Sequence, residues 1–354
     1  MKMYVEGKWV SGDGSQEVLN PYDGSIVDTV PAASIDDVEK AVNSAERGFL
    51  EMKKLTAHDR YTLLMKAADL IEERKDDLAR TITLEEGKVI SEGRLEVERC
   101  LQTIIFSAEE AKRLQSEIIP LDAAPGNSGK FGFTLRVPVG IVAAISPFNF
   151  PLNLVAHKVG PALAAGNSVV LKPASDTPLS ALKLTEIMID SGFPSESIQC
   201  ITGSGSIIGN ALVANSKIRK VTFTGSQEVG ESICKSAGIK KVTMELGSNS
   251  PLVVLPDANL EKVALATTQS GFSNAGQVCI STQRVIVDQS VYSDYLDALV
   301  PVVESLKMGN PIEDPVKLGP MVREEDAVRV SKWISEAVDG GTKLITGGER
   351  ERAS

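Results

Sequence analysis

Histidine is almost missing from this chain: 2 of 354 residues, His58 and His157. A cysteine or serine nucleophile that relies on an imidazole base therefore has few partners to choose from. Cysteine is also sparse. There are 4, at Cys100, Cys200, Cys234 and Cys279, and none falls in a C-x-x-C pair. That excludes a zinc ribbon and a thioredoxin-type motif, and no metal site is expected. The opening "MKMYVEGKWV" has no apolar core of a secretory signal. Nor is there a run of about 20 apolar residues that could cross a bilayer. The least charged stretch, Val137 to Leu171, is broken by Pro138, Pro147, Asn149, Pro151, Asn153 and Lys158, and reads as buried core. A basic surplus is lacking too. The net charge of −10, without any polybasic run, argues against a nucleic-acid partner. The expectation is a cytoplasmic chain with reduced thiols, no membrane contact and no disulfides.

What is present is ordinary for a globular protein, with 42% hydrophobic and 24% charged residues. At about 150 residues per domain the length suggests two or three domains. Short strands with an Asp23-Gly24 turn open the chain. Ser34 with Asp37 has the pattern of a helix N-cap. Amphipathic helices are predicted to about Leu50, then over about Ala57–Arg74, Lys75–Thr83 and Ser91–Gln115. The segment "GKFGFTLRVPVG" reads as extended. From Gly140 the rhythm changes to strands of five or six residues alternating with helices of ten or more. That alternation means βαβ units and an α/β, doubly wound parallel sheet of the dinucleotide-binding kind. Ligands of such sheets bind beyond the carboxyl ends of the strands.

The strand ends carry "SPFNFP" (146–151), "KPASDTP" (172–178), "TGSGSIIG" (202–209), "FTGSQEVG" (223–230) and "MELGSNSP" (244–251). Gly225 and Gly230 flank a helix start directly after a strand, where free N–H groups suit a phosphate. A plain strand-to-helix turn would look the same. Lys172 closes an apolar strand; it is either a solvated end or a cation for ribose hydroxyls. Glu245 is either a loop charge or a base. Among the cysteines, Cys100 and Cys234 fall on helical patterns and Cys200 inside a strand, so all three read as core. Cys279 alone lies in a Gly-containing, amide-rich turn, "SNAGQVCIST", which suits a nucleophile. Both histidines read as structural. That disfavours a Cys–His hydrolase and directs attention to a carboxylate.

Taken in order, "SPFNFP", "KPA", "FTGSQEVG", "MELG" and "GQVCIS" resemble the aldehyde dehydrogenase superfamily, of the NAD(P)-dependent, non-acylating kind. The likeness runs the length of the chain, and "ISPFNFPLNL" and "NAGQVCIS" are similar to enzymes acting on lactaldehyde and other short aldehydes. The resemblance implies that Cys279 attacks the aldehyde, that Asn149 and the Cys279 N–H hold the oxyanion, and that Glu245 activates water. It implies NAD or NADP contacts from Ile145, Ser146, Phe148, Lys172 and Ser175. Further contacts are implied from Gly205, Gly209, Phe223, Thr224, Gly225, Ser226, Val229, Gly230, Leu246 and Gly247. Phe150, Val278 and Ile280 would line the substrate pocket. The implied domains are 1–117 with 140–244 for the cofactor, 118–139 as a small β oligomerisation element, and 245–354 as an incomplete α/β catalytic domain.

Three departures qualify the likeness. Ser175 stands where NAD-preferring relatives carry a glutamate, which leaves room for a 2′-phosphate; NADP is expected to be accepted, with Asp176 next door working against it. Ser248 replaces the second Gly of the family's "ELGG". The resemblance also implies a further portion after residue 354, with a ribose-binding glutamate and the strand that joins subunits into a homodimer or homotetramer. Without it, weak or no turnover is expected. The competing readings are an acylating enzyme that uses coenzyme A, which would not need Glu245, and an inactive nucleotide-binding fragment.

Overall fold

Alternation of apolar residues at period two in strands, and at three to four in helices, dictates where each element turns its buried face. The computed structural model describes residues 1–12 and 14–351; the end of the expected catalytic segment, 352–354, lies outside the described residues. The hairpin β1 (Met3–Val5) and β2 (Lys8–Val10) turns at Glu6 and Gly7, both at positive φ. A second hairpin follows, β3 (Gly14–Leu19) with β4 (Ile26–Ala32). Then come α1 (Ile35–Met52), α2 (Ala57–Glu73), α3 (Lys75–Glu86) and α4 (Ile90–Ala111). The Ser34–Asp37 cap is a reciprocal capping box, and Thr56 with Asp59 forms another. Such boxes satisfy helix-end N–H groups that would otherwise lack partners.

The short antiparallel pair β5 (Ile118–Ile119) and β6 (Gly132–Phe133) is exposed, and most of the remaining extended segment makes no ladder. The alternating half then runs β7 (Ile141–Ile145), α5 (Asn153–Ala164), β8 (Ser168–Lys172), α6 (Leu179–Asp190), β9 (Ile198–Cys200), α7 (Asn210–Ala214), β10 (Ile218–Gly225), α8 (Gln227–Ala237) and β11 (Lys241–Leu246). One wide helical turn, Gly205–Gly209, leads into α7. These strands form a 7-stranded sheet ordered β11-β10-β7-β8-β9-β1-β2, parallel from β11 to β9. Val142, Ala144, Val169 and Leu171 face α2, α4, α5 and α6, while Ile141, Ala143, Ile145, Val170 and Phe223 face α1, α7 and α8. Each fully buried Leu or Ile contributes about 1.5–3 kcal/mol.

From β7 the chain winds first to β8 and β9 on one side, then returns to β10 and β11 on the other. The order reverses between β7 and β10, and sheets of this kind bind ligands beyond the carboxyl ends of the strands at such a switch point. Beyond β11, the strand β12 (Ser250–Val254) leaves the large sheet. It pairs in parallel with β13 (Thr282–Val287), beside α9 (Leu260–Phe272) and α10 (Tyr292–Glu304). The last helix is α11 (Glu324–Asp339). Among the described residues, no helix is long and apolar enough to cross a membrane.

One core assignment needs correction. Cys100 and Cys200 are buried, but Cys234 is exposed. The buried stripe of α8 is Gly230, Ile233 and Ala237. Cys234 follows Ile233 by one residue, about 100° around the helix, and so turns to the surface.

Candidate active site

The turn that carries Cys279 is built from an uncommon backbone. After α9 the chain passes Asn274, Ala275 and Gly276 at φ of 49°, 53° and 78°. Gly takes this conformation freely and Asn more readily than most residues, whereas Ala pays about 1–2 kcal/mol. Two carboxylates from the α3–α4 region, the half-buried Glu92 and the buried Glu86, hold the turn. Glu92 accepts from the Ser273 hydroxyl at 2.7 Å and from the Asn274 N–H at 3.0 Å. Glu86 accepts from the Asn274 side-chain amide at 2.7 Å. Cys279 is half-buried just beyond.

One expected partner, Asn149, contacts this turn directly, and the segment after Glu245 reaches it through Ser248. The Asn149 side-chain amide donates to the Gln277 carbonyl at 2.7 Å, two residues before the thiol. Its Oδ1 is buried and unpartnered. Three residues after Glu245, the Ser248 hydroxyl donates to the Cys279 carbonyl at 2.5 Å. Glu245 itself is exposed on β11, in register with Thr224 of β10. Beside it Lys158 of α5 is 4% exposed and donates to the Thr224 hydroxyl at 2.7 Å. Burial pushes the Lys158 ammonium down to about 8, against the opposing pull of Glu245. The His157 imidazole is lowered by burial and by Lys158, again against Glu245.

At the β7 end, Ile145 and Ser146 are buried. The Ser146 N–H donates to the Lys172 carbonyl at 3.2 Å, and its hydroxyl is buried without a partner. The Phe148 carbonyl accepts from Thr177. Lys172, at the β8 end, is not a solvated terminus: it is 3% exposed and donates to the Pro173 carbonyl at 2.6 Å. Burial lowers its ammonium to about 8. Ser175 is tied at both ends, its hydroxyl to the Gly203 carbonyl and its carbonyl to Gln16. A Cβ at Gly205 or Gly209 would lie 3.8 or 3.9 Å from the Lys172 side chain. At the β10 end, a Cβ at Gly225 would meet the Phe223 ring at 2.4 Å, and one at Gly230 would meet Leu246 at 2.8 Å. These close approaches let α8 begin against the strand ends, with the Ser226 hydroxyl accepting from the Val229 N–H. Val229 is half exposed, and nothing lies near the Cβ position of Gly247.

Among the pocket residues, Val278 and Phe150 are half-buried and Ile280 is 72% exposed. The Phe150 ring lies 4.0 Å from the Lys88 ammonium.

Several charged neighbours of these residues escape a sequence reading. Lys158, Glu86, Lys88, Glu92 and Glu96 sit on helices or their ends, where a charge normally marks the solvent face. Arg323 is another. Its guanidinium engages both carboxylate oxygens of Asp176, one at 3.0 Å, and lies 6.0 Å from the Phe148 ring. Asp176 is thus countered by a cation 147 residues away.

A parallel α/β sheet with a topological switch point, and a cysteine on a left-handed turn contacted by Asn149, match the architecture of a dinucleotide-linked enzyme. Known proteins agree. The model of the aldehyde dehydrogenase family matches residues 9–354. The 3-sulfolactaldehyde dehydrogenase of Priestia aryabhattai is 47% identical over 351 residues, 99% of this chain and 73% of that protein. The lactaldehyde dehydrogenase of Methanococcus aeolicus is 41% identical over 356 residues, 99% of this chain and 75% of that protein. Among solved structures, an Escherichia coli NADP-dependent enzyme superposes with a TM-score of 0.97 at 36% identity, covering 100% of this chain and 73% of that one. A glyceraldehyde-3-phosphate dehydrogenase from Methanocaldococcus jannaschii, complexed with NADP, gives 0.91 at 39% identity, covering 96% and 74%. The chain belongs to the aldehyde dehydrogenase family.

Proposed function

We propose that the protein oxidises a short aldehyde to its carboxylate, with Cys279 as nucleophile and NADP or NAD as oxidant. The observation that carries this is the convergence of Asn149 and the Ser248 end of the Glu245 segment on the Cys279 turn. The dinucleotide fits the switch point: a buried hydroxyl without a partner at Ser146, a buried ammonium at Lys172, and the start of α8 lie at the strand ends. Ile145, Ser146, Phe148, Lys172, Ser175 and the 223–230 turn would hold it, with Gly205, Gly209, Leu246 and Gly247 alongside. When bound, it supplies a nicotinamide that accepts the hydride of the oxidation.

The chain's own residues do the rest. The Cys279 thiolate forms a C–S bond to the carbonyl carbon, and the oxygen takes the negative charge. The remaining N–H of the Asn149 amide and the Cys279 N–H stabilise that oxygen, each by about 3 kcal/mol. Loss of hydride leaves a thioester on sulfur. Glu245 takes a proton from water, the hydroxide attacks, the C–S bond breaks and the thiolate is regenerated. An acylating enzyme has no use for that carboxylate.

The substrate is a short aldehyde of the three-carbon class, a reading supported by relatives named for sulfolactaldehyde, lactaldehyde and glyceraldehyde-3-phosphate. NADP is the better cofactor, because Ser175 presents no carboxylate and Arg323 neutralises Asp176. Residues 118–139 act as the oligomerisation element, a role supported by exposed Ile118, Phe131, Phe133, Leu135 and Val137. The cofactor domain comprises 1–117 and 140–244, and the catalytic domain starts at 245. Reduced, separate cysteines suit a cytoplasmic location. The test is a screen of short aldehydes with NAD and NADP, following absorbance of the reduced cofactor. Activity with at least one, lost in Cys279→Ala, is expected; a Cys279→Ala protein running at the wild-type rate overturns the reading.

A further inference from the structure

Asn149 is gripped at both ends by the turn that carries the thiol. Its side-chain amide donates to the Gln277 carbonyl at 2.7 Å, and its own carbonyl receives the Asn274 amide at 3.3 Å. The same carbonyl accepts from the Lys88 ammonium at 2.6 Å, so both of its lone pairs are engaged. Lys88 is 2% exposed and paired with Glu96 at 2.6 Å. The other oxygen of Glu96 accepts the N–H groups of Leu152 and Asn153 at 2.9 and 3.0 Å, fixing the chain just after Asn149. Asn274 reaches back to Glu86 at 2.7 Å, and its carbonyl accepts both the N–H and the side-chain amide of Gln277, at 3.0 and 3.1 Å. Lys88, Glu86, Glu96 and Asn274 are all buried, and none of the four has a place in the chemistry described above.

Resting on the proposed function, we propose that Asn274 is a positioning residue. With Lys88 it clamps the Asn149 main chain to the Cys279 turn, so that the two donors to the oxyanion keep one separation. Asn274 suits this place because its backbone accepts φ of 49° while its side chain spans Glu86 and Asn149. A misplacement of about 1 Å at such a site costs about 100-fold in rate. Binding of the substrate and cofactor draws on other residues and should be spared.

Asn274→Gly separates the two contributions, since Gly keeps the left-handed backbone and removes only the amide. In the full chain the expected result is a 10- to 100-fold fall in kcat. The KM for the aldehyde, the Kd for NADPH and the rate of Cys279 alkylation by iodoacetamide should stay within threefold, while the melting temperature falls because the buried Glu86 carboxylate loses its donor. A kcat within threefold of wild type overturns the proposal. So does a fall in kcat accompanied by equal losses in alkylation and cofactor binding, which would mean that Asn274 merely holds the turn together. A wild-type protein that neither binds NADPH nor oxidises any aldehyde removes the functional reading itself, and the positioning role with it.

Discussion

If Lys172 holds the cofactor as proposed, binding acquires a pH dependence that can be worked out in advance. Its ammonium is lowered from 10.5 to about 8, chiefly by burial, with Asp176 and then Cys200 pulling the other way. The unfolded chain therefore binds more protons between pH 8 and 10.5, and stability conferred by this group rises with pH across that window. Cofactor binding runs in the opposite sense, because a 2′-phosphate is held by the charged form. With a pKa near 8, about 90% of Lys172 is charged at pH 7 and about 10% at pH 9, so NADPH should bind about ninefold more weakly at pH 9. Titration by NADPH fluorescence at pH 7, 8 and 9 measures this. Lys172→Gln should lose about 1.5–3 kcal/mol at pH 7, roughly 10- to 150-fold in Kd, and its pH profile should be flat. That control also separates Lys172 from Lys158, lowered to about 8 nearby. A flat wild-type profile, or the same slope surviving in Lys172→Gln, refutes the reasoning.

Other outcomes follow from the same geometry. Arg323 and Asp176 form a partly exposed pair, worth up to about 1 kcal/mol. Arg323→Gln should lower the ratio of NADPH to NADH affinity by up to about fivefold, Asp176→Asn should raise it, and both shifts should fade in molar salt; direct Kd measurements showing no change in either variant count against the pair's role. Cys100 and Cys200 are fully buried, and burial pushes the Cys200 thiol up to about 12. Ellman's reagent should therefore find two reactive thiols in the native protein, four after guanidine and one in native Cys279→Ala. A native count of four would place the internal cysteines wrongly.

What could be read in the sequence, and what could not, divides along physical lines. Ser34 and Asp37 act within one turn of helix, and the strand–helix alternation after Gly140 repeats a local pattern, so both are legible in one dimension. Cys279 is legible because a Gly and amides mark a turn that a core cysteine does not need. Lys88, Glu96 and Lys158 are not, since a charge on a helix normally faces water and only the tertiary approach of Asn149 or Thr224 accounts for its burial. Arg323 and Asp176 meet across 147 residues, a distance no local pattern spans. Lys172 was visible as a strand-end cation, but its near-complete burial depends on the 203–209 turn folding over it.

The thioester itself offers the most direct test of the account. Glu245→Gln should still take up a short aldehyde and reduce one equivalent of NADP, yet hydrolyse the product slowly. Rapid quenching followed by peptide mass spectrometry should then show the acyl group on the peptide that contains Cys279, in close to stoichiometric amount. Reduced cofactor formed at a normal rate with that peptide unmodified, or the acyl group on any other residue, would contradict it.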